Sequence, residues 1–458
     1  TLFPYMTLFR FMIKEKGKET PYIPLGLFKL RIPFVHYRLE LAETIQAFFL
    51  FSVAMAAIPF IMDAFPWISF EVAWTAVFWF TLAFWLTATL GDPSVPGWIT
   101  ASIPVVLAYV KSYPEAAHAE RVWALASVQL VLAVLCLITG PTGLADWINR
   151  RVPAGLRAGI VLGAGISAIS GELRVGGRFL KSPWCIGIAT FISFYLLWSL
   201  SFKKWQGTNK LIKNLGRYGY VPALIVGAIV GLIVKEVPIP KIEWGIFVPR
   251  IAEQFATMSI FGYGFPPVSH LINAIPTAIV AYIILFGDWL IIDALRGEAN
   301  QERTEQHIDF SIARSSVITA FRNAWNAIFA PYATTCGPLW AGVTVSVYER
   351  YKGGKEGMPT IWGGLLSFQL WWPILVFIVP LITLMKPFLA LAASTTMLIQ
   401  GFACSYIAMM MSRDKLDLGI AGIVGVVLWR FGAAQALAVG VVLWLILMVT
   451  RNTFKTNA

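Results

Sequence analysis

Long apolar runs, separated by short polar or basic stretches, set the pattern of this chain. Runs at about 41–63, 71–90, 121–139, 153–171, 183–202 and 219–235 precede a less hydrophobic stretch at 236–268. Further runs follow at about 270–292, 311–332, 361–384, 388–411, 418–430 and 434–450. Most are long enough, at about 1.5 Å per helical residue, to cross a bilayer core of about 30 Å. Two segments break the pattern. At 91–110 the sequence GDPSVPGWITASIPVVLAYV places Pro93, Pro96 and Gly97 ahead of a short helix rich in small hydroxyl residues. At 330–348, APYATTCGPLWAGVTVSVY places Pro331, Gly337 and Pro338 between two apolar runs. Proline lacks an amide donor and clashes with the preceding turn, so each segment is expected to run extended and then restart as a half-helix. Such backbone survives at membrane depth only when buried in protein or lining a cavity.

The matched breaks suggest an internal repeat. Each half then holds about seven segments, an odd number that makes the second half enter from the opposite side. The expected fold is therefore an all-α polytopic membrane protein of about fourteen transmembrane segments, a seven-plus-seven inverted repeat with two broken half-helix segments. In domain terms, 1–40 is a basic cytoplasmic or interfacial lead-in and 41–235 the first repeat. Residues 236–268 connect to the second repeat at 269–450, and 451–458 form a C-terminal tail. With both termini cytoplasmic, Lys and Arg concentrate in the inside loops, as the positive-inside bias requires. The loop with Arg174, Arg178 and Lys181 runs against that bias.

Composition agrees with the membrane reading. Hydrophobic residues make up 58% and charged residues 13% of the chain, against about 25% charged in a soluble domain. The net charge of +12 is accounted for by cytoplasmic loops, so nucleic acid is not expected as a partner. Cys136, Cys185, Cys336 and Cys404 lie in separate apolar segments without paired spacing, which indicates neither disulfides nor a metal motif. The chain begins at Thr1, and 1–40 holds no signal-peptide pattern, so the start is read as trimmed by some residues. No HExxH, GxSxG, P-loop or Cys-pair motif is present, so no enzyme chemistry, resident cofactor or ATP-driven pump is expected.

Ionisable residues inside spans are rare, costly and commonly functional. Asp288, in FGDWLII, is a candidate coupling group, and Asp293 a second one unless it only caps the helix end beside Arg296. Glu43 lies nearer the membrane surface, and Arg322 and Asn326, one turn apart, form a polar stripe. A pair between Asp288 and Arg322 would be a salt bridge rather than a proton carrier. The half-helix N-termini present free amides and partial positive charge, suited to an oxyanion or a polar heterocycle. Trp98, Thr100, Ser102, Thr334, Thr335, Gly337 and Pro338 are the candidate substrate contacts around them. Against this, Ser and Thr in spanning helices often only bond their own backbone.

These residues resemble the nucleobase–cation symporter type-2 group, the uracil/xanthine permeases, which share a fold with the sulfate-permease group. Gln46 is placed like the glutamine of that family's first helix. DPSVPGWITASIP resembles its third segment, LADWINRRVPAGLRAGIVLGAGIS its fifth, FGDWLII its eighth and FAPYATTCGP its tenth. The resemblance implies a uracil-permease-like fold, substrate contact at Gln46, proton coupling in preference to sodium, an inner-membrane location and a homodimer formed through its gate domain. Two positions depart from the family: Ile284 stands where it carries an acidic residue, and Gly337 where it carries Glu or Gln. The side chains that would bond a nucleobase edge are thus missing. The expected function is ion-coupled symport of a small polar or anionic organic solute, by movement of a gate domain against a core. An uncoupled channel or facilitator, or an anion exchanger, on the same fold is the alternative.

Overall fold

The computed structural model describes residues 18–144, 152–208, 220–356, 358–412 and 414–449. The N-terminal Lys14 and Lys16, the whole DWINRR stretch and the C-terminal tail lie outside these residues. Helix is present in every expected apolar segment. By length and composition, Phe70–Thr89, His118–Thr139, Ala154–Lys181, Val268–Glu302 and Val379–Met411 can each cross a membrane. Several runs that read as single spans are jointed. The first divides into Leu41–Ala54 and Ala57–Ala64, and the run at 361–384 divides into Ile361–Leu375 and Val379–Met385. In the latter Pro373 lies near the end of one helix and Pro380 in the first turn of the next, where a missing amide is tolerated.

The Val268–Glu302 helix exceeds its expected end at 292 by a polar extension that includes Arg296, Glu298 and Glu302. At about 1.5 Å per residue it is longer than the bilayer core requires. Asp293 sits where this extension begins.

Close packing of small residues holds Ala154–Leu173 against the C-terminal helices. Gly155, Gly159 and Gly163 recur every fourth residue, on one helix face. A methyl group at Gly159 would lie 2.6 Å from Cβ of Val424, and one at Gly163 2.7 Å from the Gly425 carbonyl. Helices lacking a hydrophobic drive in lipid associate through such contacts.

The fold is not purely α. Residues 18–30 form short strands: Lys18–Glu19 pairs in parallel with Gln306–His307, and Ile23–Leu25 pairs antiparallel with Phe28–Leu30. Gly26 at the hairpin turn has φ +61°, a conformation that side chains resist. The hairpin is tied down by charge. Lys29 bonds Glu19 and Asp309, each at 2.6 Å, and the buried Arg31 guanidinium bonds Glu19 at 2.7 Å while stacking 3.7 Å from the Trp362 ring. The stretch 236–268, expected only as a connection, packs into the body. Phe247 stacks on Trp74 at 3.9 Å. Buried Gln254, in the short helix Ile251–Met258, accepts from Trp79 Nε1 and donates to the Phe329 carbonyl.

Candidate functional site

The two broken segments meet. Gly97–Trp98 and Cys336–Gly337 pair antiparallel, with Gly97 opposite Gly337 and Trp98 opposite Cys336. The stretches before them are not helical, but they bend at Ser94, Ala333 and Thr334 instead of running extended as their spacing predicts. The pair is extended on both flanks, where Ile99 N donates to Thr335 O at 2.9 Å and Trp340 N to Val95 O at 2.7 Å. Beyond the strands the chain restarts as Ile103–Lys111, after a 3-10 turn at Thr100–Ser102, and as Ala341–Lys352. This second restart comes a few residues later than Pro338. Neither helix has a side-chain cap, so first-turn amides such as those of Ala341 and Gly342 have no partner within their helix.

The polar stripe of the Ile312–Phe329 helix holds these strands from behind. Arg322 is fully buried and donates from Nη1 to Gly337 O at 2.7 Å and from Nη2 to Gly97 O at 3.3 Å. Asn323 bonds Cys336 in both directions, each at 3.0 Å, and Asn326 donates to the Cys336 thiol. Among the described residues Arg322 makes no ion pair, so the Asp288–Arg322 bridge weighed from the sequence is not formed. Its cation faces two carbonyls and the Phe84 ring, 5.0 Å away.

A cavity of about 370 Å³ opens in front of the strands. Gly97, Trp98 and Thr100 line it from one half, with Trp340, Ala341 and Gly342 from the other. Asp288 lines it beside the strand pair: a methyl built on Gly337 would lie 3.1 Å from its Oδ2. Trp98 Nε1 is buried without an acceptor among the described residues.

The sequence candidates divide. Trp98, Thr100 and Asp288 reach the cavity. Ser102, Thr334, Thr335, Gly337 and Pro338 are buried behind it. There the Ser102 hydroxyl bonds Ile99 O and Thr335 Oγ1, and the Pro338 carbonyl accepts from Ser94. These groups build the strand pair rather than its open face. Gln46 is not among the cavity-lining residues, of which Ala54, two turns further along the same helix, is one. Asp293 is half-exposed and pairs with Arg296 at 2.7 Å, so it acts as a helix-surface ion pair. Glu43 is buried against Arg350.

Other lining residues escaped the sequence reading. Thr396 and Gln400 lie one turn apart in the apolar Leu389–Met411 helix, and Tyr220 OH is 3.3 Å from Thr396 Oγ1. That polar pair in an apolar run was the available signal. Asp92, in the first broken segment, is fully buried and accepts from Ser315 Oγ at 2.5 Å, fixing the start of the strand pair.

No protein-family model and no curated protein matches the sequence. Solved structures do match in fold. SLC26A9 aligns with a TM-score of 0.51 at 14% identity, over 90% of this chain and 66% of that one. The transmembrane domain of a cyanobacterial bicarbonate transporter, BicA, gives 0.49 at 13% identity, over 88% of this chain and 99% of that one. Murine Slc26a9, an anion transporter in an inward-facing state, gives 0.49 at 14%, over 97% and 75%. BicA and murine Slc26a9 are transporters by name. At 14% identity the likeness is one of fold, and the chain shares the fold of SLC26A9. This is the fold type the uracil-permease resemblance implied; it does not extend to the nucleobase–cation symporter family itself.

Proposed function

We propose that this protein is a secondary transporter that carries a small anionic or polar organic solute together with a proton, by alternating access around the Trp98–Asp288 cavity. The observation that carries the reading is a cationic and an anionic feature in one cavity. Ala341 and Gly342, whose first-turn amides have no cap, line it beside strands whose Gly337 and Gly97 carbonyls bond the buried Arg322 cation. Asp288, next to Gly337, presents its carboxylate to the same cavity.

Anion and carboxylate in one small cavity repel strongly unless one is neutralised. A proton on Asp288 removes that repulsion, so each ligand favours the other, and linkage makes the favour reciprocal. Sodium beside an ionised Asp288 would serve the same end. The uncapped amides suit an oxyanion or a polar ring edge, and Trp98 adds a stacking face.

On this reading the chain has fourteen segments in a seven-plus-seven inverted repeat, cytoplasmic termini and an inner-membrane location. A homodimer through the gate domain belongs to the same proposal. Support comes from the matched breaks, their antiparallel pairing and the loop charges. The test is uptake of radiolabelled organic anions into proteoliposomes with an imposed pH or sodium gradient. Uptake that follows the proton gradient is expected. Flux indifferent to both gradients would transfer the reading to a facilitator or exchanger.

A further inference from the structure

The loop that runs against the charge bias is part of a second cavity, of about 450 Å³. The C-terminal ends of Ala57–Ala64, Ile103–Lys111 and Ala154–Leu173 come together here, and Lys111, Arg174, Arg178 and Lys181 all line it. Its two carboxylates are already engaged. Arg178 bonds Glu172 at 2.5 Å and Asp63 at 2.7 Å. Among the described residues Lys111, Arg174 and Lys181 make no ion pair. Helix C-termini attract cations, yet three of them amount to only about 1.5 negative charges. The four lining cations less the two carboxylates leave a net charge of +2, which still exceeds that.

The floor of this cavity is thin. Phe60, Ile103, Ala168 and Met397 are buried and line it. Trp98 packs against the same apolar layer while lining the central cavity on the other side. We propose that this second cavity is an antechamber that collects a small soluble anion, with the Phe60–Ile103–Met397 layer as the closed gate between it and the central site. The gate rests on the proposed transport function; the anion site does not.

The site can be tested by charge-selective labelling of the full chain carrying Ser170→Cys, at a position lining the cavity. The four native cysteines are buried, which favours the introduced thiol. In detergent, the rate ratio of an anionic (sulfonatoethyl) to a cationic (trimethylammonioethyl) methanethiosulfonate is compared with the same ratio for 2-mercaptoethanol. A focused positive potential should raise the ratio about tenfold or more. Lys111→Gln, Arg174→Gln and Lys181→Gln together should cancel the rise, and Lys181→Gln alone, at an exposed position, should reduce it if the triple variant does not fold. Millimolar inorganic sulfate should slow labelling in phosphatidylcholine vesicles. A ratio equal to that of 2-mercaptoethanol overturns the proposal. So does slowing seen only when the vesicles contain phosphatidylglycerol, which would assign the cations to a lipid headgroup. Labelling needs no transport, so the outcome stands whether or not the flux experiments succeed.

Discussion

Gly97 and Gly337 face each other across the strand pair, yet adding one methyl to each should have different consequences. At Gly97 the new Cβ would sit 2.6 Å from the Leu339 carbonyl oxygen, where ordinary contact begins at 3.4 Å. The obstacle is backbone, so the strands themselves must part by about 0.8 Å. That would stretch the 2.7 Å bond from Trp340 N to Val95 O to about 3.5 Å, at the limit of hydrogen bonding. Overpacking of about 1–3 kcal/mol and a buried amide left unpaired at about 1–3 kcal/mol together give a loss on the order of 2–6 kcal/mol. At Gly337 the nearest atoms are Asp288 Oδ2 at 3.1 Å and Ile99 Cγ1 at 3.2 Å, on side chains that can yield a few tenths of an ångström, and the nearest backbone atom, Ile99 N at 3.3 Å, is about 0.1 Å short of ordinary contact. Gly337→Ala should therefore cost less stability than Gly97→Ala and lose ligand affinity, because the methyl presses on the Asp288 carboxylate that lines the cavity. Thermal unfolding in detergent, followed by tryptophan fluorescence, measures the first effect, and calorimetric titration with a transported solute the second. If Gly97→Ala melts with the wild type, the strand pair is not a fixed element and this account of the site fails.

Three further outcomes follow from the same geometry. Asp288→Asn should preserve substrate exchange across proteoliposome membranes while abolishing accumulation against a gradient; full concentrative uptake by the variant would remove Asp288 from coupling. Arg322→Met should cost about 1.5–3 kcal/mol for each lost charged hydrogen bond. It should also weaken anionic solutes more than neutral ones in competition binding, and equal weakening would make Arg322 purely structural. Burial alone would push the Asp309 carboxyl up, but Lys29 and Arg314 outweigh it and hold the group below its ordinary value of 3.8. A depressed folded pKa gives stability that is present above the unfolded value and lost as pH falls through the folded one. The N-terminal hairpin should thus become cleavable at its exposed Leu25–Leu27 turn by pepsin below about pH 3.8, and at neutral pH by chymotrypsin in Asp309→Asn. Continued protection in both cases would show that apolar packing alone holds the hairpin.

Much of the chain was written locally. Apolar runs fix where helices form because their length and composition act within each segment. The breaks at Pro93, Pro96, Pro331 and Pro338 are equally local, since a missing amide interrupts the helix wherever it occurs. The same reasoning marked Asp288, a carboxylate that a hydrocarbon environment does not accept without cause. Periodicity says which residues share a face, but not which faces meet. Only the tertiary structure set Gly97 opposite Gly337, aimed Arg322 at their carbonyls instead of at Asp288, and drew Tyr220, Thr396 and Gln400 to the cavity. It also turned the Ser102 and Thr335 hydroxyls toward each other and left Trp98 and Thr100 facing the opening. A hydroxyl can satisfy itself on nearby backbone or on a ligand at similar cost, so its choice is made by the shape that surrounds it.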